Sequence, residues 1–114
     1  MALEVTKENV QDVFKQKNIT VLDFWAPWCG PCKMLGPVIE ALSVDEKNKG
    51  ITIGKVNVDG EGNQELAQKY NVRRIPTVIF FKDGEEIVGK RSAGAKSQTE
   101  LQAIIDSLYI ILHS

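Results

Sequence analysis

Apolar and polar positions along this chain fall into short continuous apolar runs separated by stripes of helical period. Residues 19–25, Ile-Thr-Val-Leu-Asp-Phe-Trp, read as a strand buried on both faces, with Asp23 the oddity inside it. Residues 51–58 and 77–81 read as two further buried strands. Leu35, Val38, Ile39 and Leu42 recur at helical spacing after the Trp25-Ala26-Pro27-Trp28 turn. Pro37 lies inside that helix and should kink it, since it has no N–H and crowds the carbonyl of Lys33. Ahead of these, Leu3–Val5 is a candidate first strand, and Thr6 caps a helix of about ten residues that buries Val10, Val13 and Phe14. Asn63 caps a short helix carrying Leu66, Ala67 and Tyr70. Lys82-Asp83-Gly84-Glu85 is a turn, from which residues 86–92 return as an antiparallel edge strand. Ser97-Gln98-Thr99-Glu100 is a capping box before a last helix with Leu101, Ile104, Ile105 and Leu108 on its buried face.

The predicted order is β-α-β-α-β-α-β-β-α. Strands alternating with helices imply a mostly parallel sheet covered on both faces, made mixed by the closing hairpin. The class is α/β: a mixed five-stranded sheet flanked by four helices, in a single domain over residues 1–114. Hydrophobic residues at 43% and charged residues at 25% suit a globular protein whose core needs no metal or disulfide staple. A net charge of −1 argues against nucleic acid or an anionic membrane as the main partner. Met1 to Glu8 contains no basic stretch leading into an apolar run, and no apolar run is long enough to span a bilayer. The expectation is a cytoplasmic protein, in which a pair of cysteines is a working pair rather than a structural disulfide.

Cys29-Gly30-Pro31-Cys32 opens the second helix. A cysteine there faces unpaired N–H groups and the positive end of the helix dipole, which lower its pKa and favour the attacking thiolate. Pro31 suits the first turn, where its missing N–H costs nothing. Cys32 should lie deeper, as a resolving thiol. Half of a zinc site is the first competing reading, but there is no second Cys pair and His113 is the only histidine. An inert buried pair is the second, and the Gly-Pro between the cysteines argues against it. A C-x-x-C within a β-α unit is a strong redox signal.

Trp25-Ala26-Pro27-Trp28-Cys29-Gly30-Pro31-Cys32-Lys33 resembles the active-site signature of the thioredoxin family. Arg73-Arg74-Ile75-Pro76-Thr77 and Phe81-Lys82-Asp83-Gly84 resemble its later motifs, in the expected order. The resemblance implies a general dithiol–disulfide oxidoreductase. Cys29 would attack a target disulfide, and Cys32 would resolve the mixed disulfide by the usual exchange chemistry. Asp23 would help deprotonate Cys32, with Lys55 nearby. A strand-end acid reaching solvent, or pairing with a lysine such as Lys55, is the other reading of Asp23, whose carboxyl burial should raise in pKa. The resemblance also implies a cis Ile75–Pro76 bond, and an apolar docking groove formed by Trp28, Val58, Ile75, Pro76 and Gly94 beside the Gly30-Pro31 loop. It implies no bound cofactor and no metal. The implied partners are disulfide-containing proteins and a separate reductase, commonly an NADPH-dependent flavoprotein, serving a monomeric carrier.

Some features depart from the family pattern. The 59–63 turn and the 84–94 hairpin are each about two residues longer than the family's. Asp59, Glu61 and Asn63 alternate as in a calcium loop, but Gln64 and Tyr70 stand where Gly and Glu are required, so a solvated turn is the better reading. Arg74 takes a place where a small or uncharged residue is usual, either as rim of the groove or as plain surface. The apolar 109–112 segment extends the last helix. Two rivals remain: an oxidase or isomerase of the same fold, which usually carries a different central dipeptide, and a binding module that uses the groove structurally.

Overall fold

The run at 19–25 is the central strand β2 (Ile19–Trp25) in a computed structural model, which describes residues 1–113, the last three by backbone alone. Around it the chain forms β1 (Leu3–Glu4), α1 (Val10–Phe14), α2 (Gly30–Val44), a 3-10 turn (Glu46–Asn48) and β3 (Thr52–Asn57). There follow α3 (Asn63–Lys69), β4 (Thr77–Lys82), β5 (Glu85–Glu86), β6 (Ser92–Ala93) and α4 (Gln98–His113). Across the sheet the order is β1-β3-β2-β4, and β5 and β6 both pair with the outer edge of β4.

Alternation along the strands sorts the core into two layers. Ile19 and Val21 of β2, Ile53 of β3 and Val78 and Phe80 of β4 pack against Leu35, Ile39 and Leu42 of α2 and Leu101, Ile105 and Leu108 of α4. Leu22, Phe24, Val56, Ile79 and Phe81 pack on the other face against Val10, Val13 and Phe14 of α1 and Leu66 of α3. Both faces of β2 are therefore covered, which explains its lack of polar alternation. Asp23 shares its face with Val21, so it points towards the α2 side.

Several boundaries differ from expectation. The sheet is mixed from β4 onward and not only at the hairpin: β1 and β2 run parallel to β3, whereas β4 is antiparallel to β2. Helix α3 has 7 residues, an advance of about 10 Å, and so does not return the chain to the far end of β3. The chain enters β4 beside the end of β2, with Thr77 opposite Phe24. The first helix spans 5 residues, not ten. Thr6 and Asn9 close a turn ahead of it: Thr6 Oγ1 accepts from the Asn9 N–H at 3.3 Å and Asn9 Oδ1 from the Thr6 N–H at 2.8 Å. The cap of α3 is Gly62, not Asn63, whose side chain turns inward to accept from the Lys7 N–H and donate to the Asn57 carbonyl, both at 2.9 Å.

The edge strand expected at 86–92 is two short pieces. Arg91 folds back over the turn between them and holds both Glu86 oxygens, at 2.7 and 2.8 Å. Helix α2 runs unbroken through Pro37 from Gly30 to Val44. The Asp83-Gly84 turn has positive φ at both residues, 51° and 84°, as a two-residue hairpin connection requires. The capping box forms, with the Ser97 N–H on Glu100 Oε1 and the Glu100 N–H on Ser97 Oγ, both at 3.1 Å. Helix α4 continues to His113, and Tyr109 packs on the α2–α4 layer. The side chains of Ile111, Leu112 and His113 lie outside the described residues.

Gly54 shows how tightly β1 closes the sheet. A Cβ there would meet Val5 Cγ2 at 2.6 Å, the Leu3 carbonyl oxygen at 3.2 Å and Leu22 Cδ2 at 3.3 Å. Gly54→Ala is expected to destabilise the fold by about 1–3 kcal/mol through overpacking. Urea unfolding of the two proteins checks this, and an unchanged midpoint would show that β1 is loosely held.

Candidate active site

The end of β2 delivers the chain into the Ala26–Trp28 turn, and Cys29 stands as the N-cap of α2 with extended backbone, φ −91° and ψ 114°. Its sulfur accepts from the Cys32 N–H at 3.2 Å, an N-terminal donor that would otherwise be orphaned. Pro31 fills the first turn, and Gly30 has open space around its Cα. The two cysteines form a disulfide with Cα atoms 5.2 Å apart. Cys32 is the deeper at 2% exposed, but Cys29 is itself only 6% exposed. The exposed member of the loop is Trp28, at 69%.

On the sheet face covered by α2, Asp23 is fully buried and neither carboxyl oxygen has a hydrogen-bond partner. Burial raises its pKa from 3.8 to about 7, and the positive charge of Lys55 draws it partly back. Lys55 is the register partner of Asp23 on β3. Its ammonium nevertheless lies elsewhere, 3.9 Å from Glu40 Oε2 of α2 and 4.8 Å from the centre of the Trp25 ring. Glu40 is in turn held by the Ala2 N–H at 2.8 Å. Trp25 packs behind the loop with Ala26 and both cysteines.

The loop after α3 supplies the other side. The Ile75–Pro76 bond is cis, and the Ile75 carbonyl oxygen lies 3.8 Å from Cys29 Sγ, a contact that becomes a hydrogen bond only when the thiol is reduced. Beside it is a groove of about 320 Å³ whose walls include Trp28, Val58, Val72, Arg74 and Ile75. Gly94 is placed differently: its N–H donates to the Pro76 carbonyl at 2.8 Å, and it is not part of that wall. The structure thus brings Cys29, Cys32, Trp28, Val58, Ile75 and Pro76 to one end of the sheet, with Asp23 and Lys55 paired in register on the neighbouring strands β2 and β3.

Asp59, otherwise part of a solvated turn, and Arg91 also shape this end. Asp59 accepts from Trp28 Nε1 at 2.6 Å and so fixes the exposed indole. Arg91 Nη2 donates to the Tyr70 carbonyl at 2.7 Å while holding Glu86, tying the edge hairpin to the loop that leads to Pro76. Neither bond leaves a periodic signal. In the 59–63 turn Asn63 is spent on the backbone, and no group of three or more His, Cys, Asp or Glu among the described residues could hold a metal.

Residues 1–107 match the sequence profile of the family described as Thioredoxin. This chain belongs to the thioredoxin family. A thioredoxin from Pseudomonas aeruginosa is 42% identical over 97 residues, 85% of each chain. One from Bacillus subtilis is 42% identical over 90 residues, 79% of this chain and 82% of its own. Among solved structures, a Malassezia sympodialis thioredoxin superposes with a TM-score of 0.81 at 35% identity, covering 94% of this chain and 90% of the other. As a member of this family the chain is a general dithiol–disulfide oxidoreductase with protein-disulfide reductase activity, borne on a mixed sheet with flanking helices and a C-x-x-C pair.

The isolation of Asp23 has a pH signature. Its folded pKa lies above its unfolded one, so the folded protein binds this proton more tightly. Stability should therefore fall as pH rises from 3.8 towards about 7, and its contribution should be flat beyond. Asp23→Asn is expected to raise stability above neutral pH by roughly 1–3 kcal/mol, with the gain shrinking in acid. Denaturant midpoints of the oxidised proteins against pH decide the matter. A lower midpoint for the variant in alkali would mean that the acid is well paired.

Proposed function

We propose that Cys29 is the nucleophile of this thioredoxin and Cys32 its resolving thiol. The observation that carries the reading is the Cys29 sulfur at the N-cap of α2, receiving the Cys32 N–H and facing the Ile75 carbonyl. In the reduced protein that donor and the helix dipole favour the Cys29 thiolate. The thiolate attacks one sulfur of a target disulfide, and the other target sulfur leaves as a thiolate that takes up a proton. Cys32 then gives its proton to Asp23 and attacks Cys29 Sγ. The target departs with both sulfurs reduced, and the two electrons come from the dithiol, which becomes the disulfide. A buried carboxyl titrating near 7, two residues before the end of β2, suits that proton transfer. Lys55, held off by Glu40, tunes the acid without neutralising it.

The target lies across Trp28, Val58, Ile75 and Pro76, with Gly94 steadying Pro76 through its N–H. The chain works as a single domain over residues 1–114 and as a monomer in the cytoplasm, within an electron-transport chain. No helix among the described residues is long and apolar enough to cross a membrane. A separate NADPH-dependent flavoprotein reductase recharges it. In support, the chain is 39% identical over 102 residues to part of a Mycobacterium leprae protein described as a bifunctional thioredoxin reductase/thioredoxin, covering 89% of this chain and 21% of that one.

With a dithiol supplied, the wild-type protein should reduce insulin, and Cys29→Ser should abolish the reaction. Cys32→Ser should instead accumulate a covalent adduct with the target, visible on a non-reducing gel. Turnover near the wild-type rate in Cys29→Ser would show that the nucleophile is misassigned.

A further inference from the structure

The groove beside Cys29 is lined by apolar Trp28, Val58, Val72 and Ile75 and by three charged residues, Asp59, Arg73 and Arg74. Asp59 is engaged by the Trp28 indole N–H, and Arg73 Nε donates to Asn71 Oδ1 at 3.1 Å. Arg74 is exposed, and its guanidinium has no hydrogen-bond or ion-pair partner among the described residues. Its backbone is nonetheless fixed: Thr77 Oγ1 donates to the Arg74 carbonyl at 2.6 Å. Of the three charged residues Arg74 is therefore the one with no partner among the described residues, and with a net charge of −1 on the whole chain this free cation is a local feature and not part of a generally basic surface.

We propose that Arg74 makes this groove selective for target segments that carry an acidic side chain beside the attacked cysteine. The inference rests on Cys29 as the nucleophile and adds the class of target that it meets. Arg74 directly precedes Ile75, whose carbonyl oxygen lies 3.8 Å from Cys29 Sγ. A peptide joined to Cys29 must therefore run past the Arg74 backbone, and its residues next to the joined cysteine come within reach of the guanidinium. That group offers a carboxylate two parallel donors, a match a lysine or an amide cannot give. The apolar walls accept the peptide's neighbouring side chains and lower the local dielectric around the pair. Exposed charges are screened beyond about 8 Å at physiological salt, so only residues flanking the cysteine should feel Arg74. The acid is read at that position and not along the whole target.

The test uses three disulfide-linked peptides, identical except for Glu, Gln or Lys next to the cysteine. Their rates of reduction are measured with the wild-type protein, Arg74→Gln and Arg74→Glu, at low and high salt. The readout is the Glu-to-Lys rate ratio within each protein, which cancels any general change in activity. The wild type should favour the Glu peptide by about threefold at low salt, as an exposed pair allows. That ratio should approach one in Arg74→Gln, invert in Arg74→Glu, and fade at high salt in every case. The same ratio in all three proteins would overturn the proposal. A wild-type protein that failed to reduce even the Gln peptide would contradict the dithiol function itself, which distinguishes the two failures.

Discussion

The burial of β2 on both faces is the constraint on which the rest of this structure depends. Flanked by β3 and β4 in the sheet, and by α2 with α4 on one side and α1 with α3 on the other, the strand has no solvated face. Its position sets where residue 25 emerges, and so where the tight turn to Cys29 places the first turn of α2. The same burial makes Asp23 expensive: its carboxyl is closed off from bulk solvent and has no hydrogen-bond partner among the described residues. A strand that merely stabilised the fold would carry a hydrophobic residue there. The acid therefore marks a place on this strand where stability is given up.

The site is built from three segments far apart in sequence that meet at one end of the sheet. Helix α2 contributes the N-cap sulfur, the loop ending at the cis proline contributes the Ile75 carbonyl, and the 58–59 segment contributes a groove wall and the acid that holds Trp28. Each segment is tied down separately. Val58 donates to the Trp25 carbonyl at 2.8 Å, Thr77 holds the Arg74 carbonyl, and Arg91 reaches from the edge hairpin to the end of α3. Such a rigid frame can present a disulfide edge to many partners without reshaping. It leaves selectivity to the few side chains on the rim.

What could be read in advance follows the physics of local signals. The buried strands were legible because burial on both faces writes a continuous apolar run, and α2 and α4 because a covered helix face writes a stripe. The capping box was legible because its two residues bond within one turn. The resemblance of the residues around Cys29 and Pro76 supplies the other candidate residues, which the structure gathers at one end of the sheet. What could not be read depends on distant partners. Asn63 looked like a cap, but its inward bonds go to Lys7 and Asn57, which no local rule anticipates. Residues 86–92 looked like one strand, but the Arg91–Glu86 pair folds them across a turn. Lys55 was expected near Asp23, and it is; that Glu40 and Trp25 hold its ammonium is a tertiary fact.

Both cysteines are largely buried, so exposure does not set them apart, and the helix placement of Cys29 is what the proposed chemistry depends on. Limited alkylation tests it most directly: the reduced protein is treated with less than one equivalent of iodoacetamide below neutral pH, and the modified cysteine is located by peptide mass mapping. The label should fall on Cys29 almost alone, because only its sulfur receives an N-terminal helix N–H. Equal labelling of the two cysteines, or labelling chiefly at Cys32, would contradict the account.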